Sequence, residues 1–277
     1  MKILLYIIIA VAILTVLYVA STCTYISPSR RRKFADSGLI CPYAHRGLHG
    51  GGVPENSLAA FKKAVDSGHG IELDLQLSAD GEVMVFHDYT LVRITGESGL
   101  LSERSAEELR SLRLSGTDEH IPTLREVLEL VDGRVPLLIE LKGENTSTVL
   151  PPKADEILRE YKGPYCIESF NPLLVAWYKK NRPDVMRGQL YTNICREKKI
   201  SPLNVLLTLL AFNFIARPDF VAFDHKHAKI IPLRLVRALY KPYRFTWTVR
   251  TEDGFEVARK YSANPIFEGE LPSDFKK

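Results

Sequence analysis

The stretch Gly70-Ile71-Glu72-Leu73-Asp74-Leu75-Gln76-Leu77 decides the fold. Side chains alternate faces along a strand. Ile71, Leu73, Leu75 and Leu77 therefore share one face, and Glu72, Asp74 and Gln76 share the other. An exposed antiparallel strand could carry this pattern, but the neighbouring sequence argues for a parallel sheet, whose strands are buried on both faces. Further strand-like runs lie at 40–45, 83–87, 135–141, 165–169, 187–191, 220–224, 243–249 and 265–268. Helix-like runs fall at 56–67, 123–131, 154–161, 172–181, 231–240 and 253–261. Such alternation argues for an α/β fold with a parallel sheet. Its extent suits a (β/α)8 TIM barrel, which typically needs about 250 residues. A doubly wound sheet is the alternative, but Gly50-Gly51-Gly52 does not supply its Gly-rich phosphate turn.

In a barrel, Glu72 and Asp74 face the interior, where paired carboxylates are costly unless a positive group meets them. A hard divalent cation, Ca2+ or Mg2+, takes oxygen ligands and answers that need. Leu137-Leu138-Ile139-Glu140-Leu141-Lys142 repeats the alternation and supplies Glu140 as a third carboxylate and Lys142 as a point charge for a phosphate oxygen. A salt-bridge network among these four residues is the alternative reading. Two apolar runs end in histidine, at Ala44-His45-Arg46 and Phe86-His87-Asp88. The C-terminal ends of barrel strands are where active sites sit, and imidazole suits proton transfer near neutral pH. Arg46 adds a fork that can hold phosphate through two bonds.

The N-terminus is of another kind. From Ile3 to Ala20 no residue is charged, and such a run can cross a hydrocarbon core of about 30 Å. Residues 1–27 read as a transmembrane anchor, 28–38 as a basic juxtamembrane linker and 39–277 as the catalytic domain. A processed signal peptide is the other reading. Positive charge is heavier after the apolar run, at Arg30-Arg31-Arg32-Lys33, so a single-pass membrane protein with a cytoplasmic catalytic domain is expected. The net charge of +4 is mild and no nucleic-acid signature is present. Cys23, Cys41, Cys166 and Cys195 show neither a metal spacing nor a disulfide framework. The apolar run 202–215 is too short to span; it is either a helix packed on the sheet or a surface dipping into the bilayer.

The blocks AHRG (44–47), PENSLAAFKKAV (54–65), GIELDLQLSADGEVMVFHD (70–88) and LLIELKG (137–143) together resemble the glycerophosphodiester phosphodiesterase family. Weaker matches are Glu168-Ser169-Phe170, Trp247-Thr248-Val249 and the closing Phe267-Glu268. The resemblance implies a TIM barrel that hydrolyses glycerophosphodiesters to glycerol 3-phosphate and an alcohol. It implies catalytic His45 and His87, and Ca2+ or Mg2+ on Glu72, Asp74 and Glu140. Arg46 and Lys142 are implied to contact phosphate, and Phe170 and Trp247 to line the glycerol pocket, where core packing is their other reading. The sequence departs from the family's usual acidic residue before proline, reading Phe267-Glu268-Gly269-Glu270-Leu271-Pro272. The short segment between His87 and Ile121 leaves little room for a cap, so an open site is expected. That admits a lysophospholipid as well as a soluble diester, making lysophospholipase D the alternative activity. Asn56 is expected to cap a helix, and Glu55 reaching the metal is the alternative reading of this turn.

Overall fold

The computed structural model describes residues 2–143 and 145–276. Among the described residues, nine strands form one sheet: β1 (Tyr43–Ala44), β2 (Gly70–Leu77), β3 (Val83–Val85), β4 (Leu137–Leu141), β5 (Tyr165–Ser169), β6 (Met186–Tyr191), β7 (Phe220–Asp224), β8 (Tyr243–Val249) and β9 (Asn264–Phe267). Every pairing except β2–β3 is parallel, and β1 pairs with both β2 and β9, which closes the barrel. The expected (β/α)8 TIM barrel is therefore present.

Parity assigns the two faces. Ile71, Leu73, Leu75, Leu137, Ile139, Leu141 and Ile167 point outward, into a core shared with the apolar sides of surrounding helices, including Phe61, Leu124 and Val127. Inside, the lower end holds Tyr43, Leu138, Cys166, Met186, Phe220, Phe245 and Ile266. Gly188 of β6 fits among them because a Cβ there would lie 1.9 Å from the Phe220 ring.

One strand differs from expectation, and two further segments gain detail. The strand expected over 83–87 is not a barrel stave: β3 runs antiparallel to β2, pairing Val85 with Leu75 and Val83 with Leu77. The chain reverses at Asp80-Gly81, where Gly81 has φ +82°, a backbone state glycine adopts without penalty. Residues 28–38, expected as a basic juxtamembrane linker, carry regular structure. They contain helix α2 (Pro28–Ala35), capped by Ser27, and together with Ile26, Phe34 and Leu39 they plug the lower barrel. Arg30 donates to both oxygens of buried Asp219, at 2.6 and 2.7 Å, and to the Val185 carbonyl at 2.9 Å. The apolar run 202–215 forms two short helices, Pro202–Thr208 and Asn213–Ala216. Helix α1 (Lys2–Ser21) precedes α2 and contributes no buried residue.

Candidate active site

The strand register builds the site. Asp74 of β2 lies beside Glu140 of β4, which lies beside Glu168 of β5. One residue past β1, His45 donates its backbone N–H to the Phe267 carbonyl at 2.9 Å. The chain then turns through left-handed Arg46 and Gly47. That turn aims the Arg46 backbone N–H at Glu72 Oε2, 2.9 Å away. Gly47 is required here twice over, by φ +80° and because a Cβ would meet Ala60 at 2.8 Å.

Glu72, Asp74 and Glu140 are all buried and can each bring one oxygen within 4.8 Å of the others. Lys142 Nζ lies 3.0 Å from Glu140 and 3.3 Å from Asp74, and Arg46 Nε lies 3.5 Å from Asp74. Burial pushes the Glu140 carboxyl up to about 7, although Lys142 opposes the shift. Burial and then the neighbouring Asp74 and Glu140 charges raise Glu72 well above the ordinary range. Asp74 goes the other way: burial works against its ionisation, but Lys142, His87 and Arg46 outweigh it and hold the carboxyl well below the usual range. Glu168, 1% exposed, faces the same cluster and is pushed up by burial and by Glu72 and Glu140.

These residues fit a divalent cation. Four buried carboxylates face two cations, Arg46 and Lys142, which leaves two negative charges uncompensated when all ionise. Glu168 Oε2 is buried without a hydrogen-bond donor, and Asp74 Oδ1 meets only the Lys142 ammonium, at 3.3 Å. Buried carboxylate oxygens in surplus are what an oxygen-preferring ion satisfies.

Both histidines carry a carboxylate on Nδ1, and each carboxylate is held by an arginine. His45 Nδ1 lies 2.7 Å from Glu268 Oε1, and Arg250 grips Glu268 at 2.6 and 2.7 Å. His87 Nδ1 lies 2.6 Å from Asp88 Oδ1, and Arg93 bonds both Asp88 oxygens. A carboxylate only accepts, so Nδ1 carries the proton and Nε2 presents its lone pair to the site. His45 Nε2 lies 4.0 Å from Glu72. Burial lowers His45 to about 4 against the opposing Glu268 hydrogen bond. Burial lowers His87 as well, partly offset by Asp74.

Antiparallel β3 explains how His87 arrives. It runs back along β2, the Phe86 N–H bonds the Asp74 carbonyl at 3.0 Å, and Gln76 Nε2 holds the Phe86 and Asp88 carbonyls at 2.8 Å. Phe170 and Trp247 stand edge to face with centroids 5.6 Å apart, and Trp247 donates to the Ala222 carbonyl at 2.9 Å. Asn56 is not a helix cap. Ser57 caps the helix Leu58–Asp66 instead, and Asn56, left-handed at φ 51°, turns inward to donate to Asp74 Oδ2 at 2.9 Å. Glu55 pairs with Arg46 at 2.6 Å and with Arg93 rather than with the carboxylate cluster. Glu168, Glu268, Asp88, Arg93 and Arg250 were not singled out as site residues from the sequence. Glu168 was within reach of the parity argument, since it shares a face of β5 with Cys166.

The model of the glycerophosphoryl diester phosphodiesterase family matches residues 45–268. A glycerophosphodiester phosphodiesterase of Caldanaerobacter subterraneus subsp. tengcongensis is 39% identical over 164 residues, covering 53% of this chain and 65% of the relative. One from Bacillus altitudinis is 36% identical over 172 residues, covering 56% of this chain and 68% of its own length. The match thus spans about two thirds of the length of these two relatives. Among solved structures, an Oleispira antarctica phosphodiesterase in complex with the product sn-glycerol-3-phosphate superposes with TM-score 0.68 at 25% identity, covering 83% of this chain and 93% of the other. A Thermotoga maritima glycerophosphodiester phosphodiesterase gives 0.64 at 26% identity, covering 83% and 94%.

Proposed function

This chain belongs to the glycerophosphoryl diester phosphodiesterase family, and we propose that it hydrolyses glycerophosphodiesters to sn-glycerol 3-phosphate and an alcohol at the C-terminal mouth of its barrel. The observation that carries this reading is the buried Glu72–Asp74–Glu140 cluster lying between two histidines with carboxylate-oriented rings. Glu72, Asp74 and Glu140 would hold Ca2+ or Mg2+, which when bound polarises phosphoryl oxygens and offsets developing negative charge. Arg46 and Lys142 supply the fixed positive charge around the phosphate. Each is paired with carboxylates, Arg46 with Glu55 and Lys142 with Glu140, so their positions are set before substrate arrives. His45 and His87 carry the protons: the Nε2 of one takes a proton from the attacking water, and the Nε2 of the other gives one to the leaving alkoxide. The Phe170–Trp247 pair offers an apolar wall to the glycerol carbons. The test is release of glycerol 3-phosphate by the full chain with Mg2+ or Ca2+. No turnover of any glycerophosphodiester, or turnover unchanged in His45→Ala, rejects the proposal.

The helix α1 is read as a single-pass membrane anchor. Its 20 residues carry no charge after Lys2 and none of them is buried, and the helix is long enough to span about 30 Å. The charge on its C-terminal flank orients the barrel toward the cytoplasm, which a reporter fused to the C-terminus checks. A second substrate reading, a lysophospholipid cleaved in lysophospholipase D fashion, has one observation in its favour. Leu190, Leu207, Leu210 and Phe212 line a narrow crevice of about 10 Å³ beside Phe170, which extends the apolar surface at the mouth of the site. Equal or faster cleavage of lysophospholipid than of its deacylated diester supports it, and strong preference for the soluble diester rejects it.

A further inference from the structure

The segment 198–217 stands apart from the other connections of the barrel. It leaves the top of β6 and returns to the start of β7, and one side of it does structural work: Leu207, Leu210 and Phe212 wall the crevice beside Phe170, and Leu210 is buried. The other side exposes large apolar groups that a soluble barrel would cover. Ile200 is 71% exposed, Leu203 57% and Phe214 48%, and Leu206 is exposed between them. Exposed single apolar residues are ordinary, whereas several within fifteen positions of one connection mark an interaction surface.

The foot of α1 meets this segment. The Tyr18 hydroxyl donates to the Leu209 carbonyl at 3.2 Å, and α1 packs against the helix Asn213–Ala216. On the neighbouring helix Ile231–Tyr240, the Tyr240 hydroxyl donates to the Val19 carbonyl at 2.5 Å, and the adjacent Leu239 is 51% exposed. Lys199 and Arg217 are exposed at the two ends of the segment, and Lys179 Nζ holds the Ile215 carbonyl at 2.7 Å. Apolar side chains bordered by cations are the composition of an interfacial element on an anionic leaflet.

We propose that the exposed side of 200–214, together with Leu239, is a second membrane contact: it seats the barrel on the bilayer surface where α1 enters it. The occupant is the headgroup and upper acyl layer of the leaflet nearest the barrel. The proposal rests on α1 being a membrane span. It makes one connection serve two purposes, since the residues behind the contact wall the crevice at the mouth of the site. Substrate would then reach the mouth of the site from the bilayer surface rather than from bulk solvent.

The test uses the full chain in vesicles of equal parts phosphatidylcholine and phosphatidylglycerol, with acyl chains either ordinary or brominated. Single tryptophans are introduced as Leu203→Trp, Phe214→Trp, Ile9→Trp in α1, and Glu129→Trp on the exposed side of a distant helix, with the emission of the unsubstituted chain subtracted. The expected result is quenching by brominated lipid at 9, 203 and 214 but not at 129. Quenching at 9 with 203 and 214 as bright as 129 overturns the second contact and leaves the anchor standing. Bright emission at 9 overturns the anchor reading, and bright emission at 9, 203 and 214 together overturns both. In a second arm, Leu203→Asp with Leu206→Asp is expected to abolish the quenching at Phe214→Trp while hydrolysis of a soluble diester stays unchanged. Retained quenching in that variant also overturns the proposal.

Discussion

Replacing Glu268 by glutamine tests the part of the site that the sequence concealed. Glu268 binds His45 Nδ1 at 2.7 Å, and the two side chains are only 18% and 12% exposed, so water replaces the contact poorly. Glu268 is held ionised, well below the usual carboxylate range. Burial opposes that, but His45, His49 and Arg250 outweigh it. When His45 takes up a proton during turnover, an ionised partner stabilises the imidazolium through a charge-assisted bond, and glutamine does not. Hydrogen bonds to charged groups are worth about 1.5–3 kcal/mol, which corresponds to a roughly 10- to 150-fold loss in kcat. The Glu268 hydrogen bond also raises the His45 pKa, so its loss moves the His45 limb of the pH–rate profile to lower pH. That direction holds whether His45 serves as acid or base. KM should change little, because Glu268 lies behind the imidazole. The assay is kcat and KM across pH for Glu268→Gln beside the unsubstituted enzyme, with a melting curve to verify folding. A folded variant with unchanged kcat and an unmoved limb would refute the reasoning.

Other outcomes follow from the same geometry. Cation binding should be linked to protons: Glu140 sits at about 7 and Glu72 is raised, so without a cation their contribution to stability is present at low pH and lost as pH rises through about 7. Saturating Mg2+ or Ca2+ should therefore raise the melting temperature more at high than at low pH between about pH 7 and 8, where most histidine in the unfolded chain is neutral. At about a hundredfold over Kd the gain is about 2.7 kcal/mol, or roughly 5–10 °C; thermal-shift curves read it. Lys142→Met removes a cation lying within 3.3 Å of both Glu140 and Asp74. Calorimetry should find divalent cations bound more tightly while turnover falls by tenfold or more, roughly the value of one lost charged bond. Gly188→Ala forces a Cβ into the Phe220 ring and should cost about 1–3 kcal/mol by urea unfolding, the usual penalty of overpacking.

Periodicity made the barrel and half of the site legible. The alternation in Gly70–Leu77 separated Glu72 and Asp74 from the outward leucines, and the same rule found Glu140. What escaped it did so for physical reasons. β3 reads as one more apolar strand unless the Asp80-Gly81 turn is weighed as a hairpin signal, so His87 was expected on a stave rather than on a returning strand. Asn56 has the composition of a cap, and only its left-handed backbone, beside a better-placed Ser57, turns it onto Asp74. Glu268 lies 223 positions from His45, at the end of a four-residue strand with no periodic signature. In the basic run after α1 the charge dominates the local pattern, so the burial of Phe34 and Leu39 under the barrel has no signal in the sequence.

The most direct measurement is release of glycerol 3-phosphate from glycerophosphocholine and its ethanolamine and glycerol counterparts, by the full chain stripped with chelator and then resupplied with Mg2+ or Ca2+. The account predicts turnover that disappears on chelation, returns with the divalent cation, and is lost in Glu72→Gln, His45→Ala and His87→Ala. Turnover that persists undiminished after chelation, or in any of those three variants, would contradict it.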